Sequence, residues 1–200
     1  MRKVVYSKIF LLCWLVFSSV KASADVSGDT LSVSLITCSP GTEVYELFGH
    51  TAIRIERPAK KIDLIYNYGI FSFNTPHFIY RFTKGETDYW LGIERFRDFL
   101  FSYVMRNSTV YQQSLNLTQD EAYALFNALN ENSLPENREY RYNFLFDNCS
   151  SRAAEMIQRH IRGELLYDTA SVQGTFRSLI PECTCLVYPS LPPDHFQCGV

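Results

Sequence analysis

The segment Phe144-Leu-Phe-Asp-Asn-Cys-Ser-Ser-Arg-Ala-Ala-Glu-Met-Ile157 constrains this chain most tightly, because it opens an amphipathic helix on a cysteine. Asp147 or Asn148 supplies an N-cap, and Cys149, Ala153, Met156, Ile157, His160 and Ile161 recur at helical spacing until Gly163 supplies a stop. A helix with one apolar stripe must lay it on another layer, and a thiol in its first turn then sits at the edge of the interface. There the unpaired N–H groups and partial positive charge of the helix start favour thiolate over thiol, and they can donate to an oxyanion beside the sulfur. Cys149 is therefore a candidate nucleophile; the competing reading is a small apolar residue filling a helix–sheet gap.

Residues 1–24 read as an export signal. Arg2, Lys3 and Lys8 precede the apolar run Ile9-Phe-Leu-Leu-Cys-Trp-Leu-Val-Phe17, and Ala22-Ser-Ala24 fits the small-residue cleavage rule, so cleavage is expected before Asp25. The run is short for a membrane span, and the mature chain is expected to be periplasmic, with contact to a membrane surface compatible but no transmembrane helix. Loss of Arg2, Lys3, Lys8 and Lys21 leaves 15 basic residues against 21 acidic, a balance of about −6 that disfavours a nucleic-acid partner. Residues 25–180 suit one domain, and no repeat of fixed period is visible.

Five cysteines remain after Cys13 leaves with the signal: Cys38, Cys149, Cys183, Cys185 and Cys198. An odd number in an oxidising compartment leaves a thiol over, and Cys149 is the natural one. Residues 181–200 form an irregular Cys- and Pro-rich tail. Cys183, Cys185, His195 and Cys198 are zinc-ligand types, but their spacing matches no common site, and neither a metal nor another cofactor is expected.

A base for the thiol is found about 100 residues upstream. Leu31 to Thr37 alternates as a strand, and after Gly49 the run His50-Thr-Ala-Ile-Arg-Ile-Glu56 places Thr51, Ile53 and Ile55 on one face and His50, Ala52 and Arg54 on the other. Arg57-Pro-Ala-Lys-Lys61 turns the chain, and Ile62 to Tyr68 returns. A hairpin centred near residue 59 pairs indices summing to about 117 or 118, so His50 lies opposite Asn67 or Tyr68. Asn67 is the better orienting group, since its amide oxygen can accept from one ring nitrogen and leave the other facing the sulfur. The aromatic loop from Gly69 to His77 forms part of a pocket wall, and Tyr68, Phe71, Tyr142 and Asn148 are the candidates for lining a substrate groove. His77, in that loop, reads as a surface residue. Further strands are expected over Thr87–Ile93 and Thr109–Leu115, and helices over Phe96–Met105 and after the capping box Thr118-Gln-Asp-Glu121, with Asn132–Arg141 a polar loop.

Leu47-Phe-Gly-His-Thr-Ala-Ile-Arg54, Tyr66-Asn-Tyr-Gly-Ile-Phe-Ser-Phe-Asn-Thr-Pro76, Pro135-Glu-Asn-Arg138 and Phe144-Leu-Phe-Asp-Asn-Cys149 together resemble the Lnb N-terminal periplasmic domain family over roughly residues 30–180. The order of histidine before cysteine also resembles the circularly permuted NlpC/P60 branch of papain-like proteins. That resemblance implies an α+β, papain-like fold with an antiparallel sheet packed against the cysteine helix. It implies Cys149 as nucleophile, His50 as base and a polar third residue, placed at Asn67. The implied activity is a cysteine hydrolase or acyltransferase acting on an amide or ester of a peptide, cell-wall or lipid substrate; the alternative is a non-catalytic binding or accessory domain on the same fold. Relatives continue past a segment like Gly174-Thr-Phe-Arg-Ser-Leu-Ile180, often toward membrane-spanning helices, so the tail reads as the ending of a shortened form.

Overall fold

In a computed structural model of the chain, the residues described are 29–41, 46–72, 74 and 76–166. The expected export signal and cleavage point, and the expected tail with Cys183, Cys185, His195 and Cys198, lie outside them. The strands are β1 (Ser32–Cys38), β2 (His50–Arg57), β3 (Ile62–Ile70), β4 (Asp88–Arg95), β5 (Val110–Ser114) and β6 (Glu139–Arg141). The helices are α1 (Phe78–Thr83), α2 (Phe96–Met105), α3 (Gln119–Asn132) and α4 (Cys149–His160). The strands form one open sheet in the order β5-β1-β2-β3-β4-β6, every neighbouring pair antiparallel. The fold is thus α+β with an antiparallel sheet against the cysteine helix. Among the described residues no helix is long and apolar enough to cross a membrane.

The period-2 pattern of the central strands decides which layer covers which face. Val33, Ile53, Ile55, Tyr66, Tyr68 and Leu91 point to one side and bury Leu125 and Leu129 of α3 with Ala153 and Ile157 of α4. Ile36, Cys38, Ala52 and Ile65 point to the other and receive Phe99 of α2. The sheet is therefore covered on both faces, and α2 adds a layer beyond the cysteine helix. Two tyrosines fasten α3 further, Tyr66 donating to Asn130 Oδ1 at 2.7 Å and Tyr68 to Asn132 Oδ1 at 2.6 Å.

The turn between β2 and β3 is centred slightly later than the sequence suggests. Pro58–Lys60 forms a 3-10 turn, Lys61 closes it in the left-handed region at φ 55°, and the Lys61 N–H donates to the Pro58 carbonyl at 3.0 Å. Cross-strand partners accordingly sum to 119, as in Ile53 with Tyr66, which carries His50 alongside Gly69 rather than directly opposite Asn67. Two short elements also depart from expectation: α1 interrupts the stretch after the aromatic loop, and β6 lies inside the expected polar loop, where buried Tyr140 is its one inward residue. The Thr118–Glu121 capping box is present, and the Glu121 carboxyl is held down at about 2 by the Thr118 hydroxyl and the backbone N–H groups of Arg162 and Thr118.

Leu125, with none of its surface exposed, fills the space between α3 and the sheet. Leu125→Ala should lower the free energy of unfolding by about 2–5 kcal/mol in urea melts, whereas Leu166→Ala, 94 % exposed, should stay within about 0.5 kcal/mol of the parent.

Candidate functional site

The site is assembled where the first turn of α4 meets the first residues of β2. Asn148, rather than Asp147, is the N-cap of α4: its Oδ1 accepts from the Ser150 N–H at 2.9 Å and the Ser151 N–H at 3.1 Å, while the Ser151 hydroxyl accepts from the Asn148 N–H at 2.8 Å. The Asn148 Nδ2 donates to the Phe144 carbonyl at 2.8 Å, which ties the preceding loop to the cap. Asp147 is engaged with Arg152, whose Nη2 donates to Oδ2 at 2.7 Å. Asn148 is thus occupied in forming the helix start, and its contribution to a groove is to place Cys149 and the carbonyl of Phe144.

The Thr51 and Ser150 hydroxyls share a hydrogen bond of 2.9 Å and clamp the helix to the strand beside the histidine. Gly49, at φ 71°, leads into that strand, and a Cβ on it would fall 2.4 Å from the Cys38 carbonyl oxygen, so the close approach needs a glycine. His50 then donates through Nε2 to Asn67 Oδ1 at 2.7 Å, and the same oxygen accepts from the Gly69 N–H at 2.8 Å. With Nε2–H committed to the amide oxygen, Nδ1 is the ring nitrogen left with a lone pair. The ring lies 6.5 Å from those of Phe99 and Tyr103, nearly parallel to the latter at 11°, so α2 supports it from behind.

The thiol of Cys149 is half-buried, and burial pushes its pKa up. Its hydrogen bond with His50, the His50 charge, the Thr51 backbone N–H and the Ser150 side chain act the other way and prevail, so the thiol lies below its ordinary value. The structure therefore brings Cys149, His50 and Asn67 together. Cys38, paired with His50 across β1 and β2, behaves oppositely: burial pushes it up to about 12 and keeps it a neutral thiol.

Two groups of aromatic rings lie around this end of the sheet. Tyr142 stacks on Tyr89 at 4.1 Å, Tyr89 on Phe71 at 4.8 Å and Phe71 on Phe78 at 5.6 Å. Burial raises the Tyr142 hydroxyl to about 12, with the nearby Cys149 adding to the effect. Across the helix start, Phe48 and Phe144 meet edge to face at 4.5 Å with 41 % and 39 % of their surfaces exposed. Tyr142 thus lies near the thiol and Phe71 joins it through Tyr89, whereas Tyr68, 1 % exposed and bonded to Asn132, belongs to the core beneath α3. His77 is exposed on its loop.

Sequence reasoning missed Thr51, Ser150 and Gly69. Each adjoins a residue it did identify, and each acts through one hydroxyl or through the lack of a side chain. A separate depression of about 280 Å³ at the far end of α4 is lined by Asp120, Glu121, Arg159, His160 and Arg162, opposite charges side by side and remote from the sulfur in the helix's first turn.

The model of the family described as Lnb N-terminal periplasmic domain matches residues 18–182 of this chain. Neither a curated protein nor a solved structure matches it.

A Cβ at Gly69 would lie 2.5 Å from His50 Cε1 and 3.1 Å from Asn67 Oδ1. Gly69→Ala should therefore displace the imidazole and slow alkylation of Cys149 at neutral pH by about tenfold or more, with the melting temperature checked in parallel to show that the fold persists.

Proposed function

The chain belongs to the Lnb N-terminal periplasmic domain family, and from that premise we propose that it is a periplasmic cysteine hydrolase or acyltransferase, acting on an amide or ester bond through a thioacyl intermediate. The observation that carries the reading is the 2.7 Å bond from His50 Nε2 to Asn67 Oδ1, made by a ring close enough to the Cys149 thiol to lower its pKa. An imidazole held by an amide oxygen on one side and a thiol on the other is arranged to take the thiol proton. The papain-like architecture, the domain limits of 25–180 and cleavage before Asp25 belong to the same proposal. A cysteine helix laid on an antiparallel sheet that carries the histidine supports the first of these.

In the proposed reaction His50 Nδ1 accepts the Cys149 proton and the sulfur attacks the substrate carbonyl carbon. Electron density moves onto the carbonyl oxygen. Asn148 holds the Ser150 and Ser151 N–H groups and the Ser151 hydroxyl holds that of Asn148, so the Cys149 N–H is the first-turn donor that the cap does not take. Collapse of the tetrahedral intermediate breaks the carbon–nitrogen or carbon–oxygen bond, and the imidazolium protonates the departing amine or alcohol. An incoming water or alcohol then loses its proton to His50 and attacks the thioester, releasing the acyl group and returning the proton to sulfur. The ring of Tyr142 near the thiol, continued by Tyr89 and Phe71, suits a substrate with an apolar or sugar-bearing portion.

The mature chain should be labelled with iodoacetamide across pH and, separately, incubated with an activated acyl ester. Labelling that persists well below the ordinary thiol pKa of about 8.5 is expected, together with a single acyl adduct on Cys149 that is absent from Cys149→Ala. His50→Ala should slow acylation by about 10²–10⁴-fold. An ordinary thiol profile in a folded sample, with no adduct, would favour the binding-domain alternative and end the thiol-enzyme reading.

A further inference from the structure

The Asn67 amide is a two-ended group whose orientation decides which His50 nitrogen can act as base. Its oxygen and nitrogen have nearly the same size, so shape alone does not choose between them. With Oδ1 toward His50, Nε2 carries the hydrogen and Nδ1 is left to receive a proton from sulfur. With the amide turned over, Nδ2–H would face Nε2, the ring hydrogen would move to Nδ1, and the imidazole could no longer take the thiol proton. Whatever holds the far end of this amide therefore acts on the thiol at one remove.

We propose that Glu94 is a positioning residue: its carboxylate accepts from Asn67 Nδ2 and so, together with the Gly69 N–H on Oδ1, keeps Oδ1 turned toward His50. The proposal rests on the Cys149–His50 reading above. In the sheet, Asn67 pairs with Gly92 and Ile65 with Glu94, so Glu94 is the diagonal neighbour of Asn67 on the same face. That separation is within reach of a long side chain. From that position the Asn67 side chain is near enough to the Glu94 carboxyl to lower its pKa as a donor would. Because Oδ1 is already shared between the His50 Nε2–H and the Gly69 N–H, the bond to Glu94 falls to Nδ2. An ionised carboxylate can only accept, so it admits one orientation of the amide and rejects the other.

Glu94 itself is half-buried near the start of α2. Burial raises its carboxyl, the Asn67 hydrogen bond lowers it, neighbouring Asp98 raises it and the His50 charge lowers it. The titratable groups facing His50 are Cys38 from β1, Glu94 from β4, Tyr103 from α2 and Cys149 from α4. Of these, Glu94 reaches the ring through Asn67, which makes its role separable from that of the thiol.

The test measures iodoacetamide alkylation of Cys149 against pH in the full mature chain, for wild type, His50→Ala, Glu94→Gln and Glu94→Met. Glu94→Met retains the side-chain length and loses the acceptor; it should slow labelling at pH 7 by about tenfold and move the profile toward that of an ordinary thiol. Glu94→Gln, whose amide oxygen can still accept from Nδ2, should remain within about threefold of wild type. Nitrogen-15 spectra of labelled histidine should show the Nε2–H tautomer of His50 in wild type and Glu94→Gln, and a mixture in Glu94→Met. If Glu94→Met fails to fold, Glu94→Thr, a strand-favouring residue too short to reach Asn67, replaces it. A Glu94→Met profile that superimposes on wild type while His50→Ala shifts it would overturn the role of Glu94 alone. Equal losses in Glu94→Gln and Glu94→Met would overturn the hydrogen-bonding role. A wild-type profile indifferent to His50→Ala would overturn the Cys–His reading and this proposal with it.

Discussion

The contact between the first turn of α4 and the first two residues of β2 is the interaction on which the site depends. Burial of Ala153 and Ile157 holds the helix to the sheet, a stabilisation of about 1.5–3 kcal/mol for the isoleucine side chain alone. Burial has no direction, however, and would tolerate sliding of the helix along the strand. The Thr51–Ser150 hydrogen bond supplies the missing direction at the end where the chemistry is placed. The cap at Asn148 then fixes the rotation of the first turn, which points the Cys149 side chain. Apolar packing sets the layer, and a few short polar contacts set the register within it.

Consecutive residues of a strand face opposite ways, and β2 uses this at its first two positions. Thr51 belongs to the face that carries α3 and α4, while His50 has the parity of Ala52, on the face that receives α2. Only at the end of a sheet can side chains of opposite parity serve one site, because only there can a ring reach around the edge. Gly49 before the strand and Gly69 beside it leave the room this requires, each at a point where a Cβ would collide with its neighbour. The same geometry explains why the imidazole is supported from the α2 side by Phe99 and Tyr103 yet meets a sulfur supplied from the α4 side.

Much of this was legible in the sequence where one side chain carries one local signal. The alternation of β2, the helix opening at Cys149 and the Thr118–Glu121 box each follow from spacing that no distant contact overrides. The partnership of His50 with Asn67 was also legible, though through a register one or two residues off; an amide on the correct face of the adjoining strand reaches diagonally, so parity mattered more than alignment. Strand β6 was illegible because three residues with a single buried Tyr140 have no period to detect. Tyr68 was assigned to the groove because its partner is distant in sequence: its hydroxyl donates to Asn132 of α3, a contact that no local spacing signals and that keeps the side chain in the core.

The contrast between Cys38 and Cys149 shows how one fold can raise one thiol and lower another. Burial acts on both in the same direction, opposing the charged form. Cys38 lies on the face sealed by Phe99 and Tyr103, where the Tyr103 hydroxyl is a weak counterweight, and its thiol rises to about 12. Cys149 lies at a helix start, where the Thr51 N–H, the Ser150 hydroxyl and the His50 ring all converge on sulfur. Three donors, one of them able to carry a full charge, outweigh the same desolvation that silences the other thiol. The ionisation of Cys149 is therefore a property of what the end of β2 presents to the sulfur. That is why the short polar contacts around His50, rather than the aromatic core beneath it, decide how readily this thiol loses its proton.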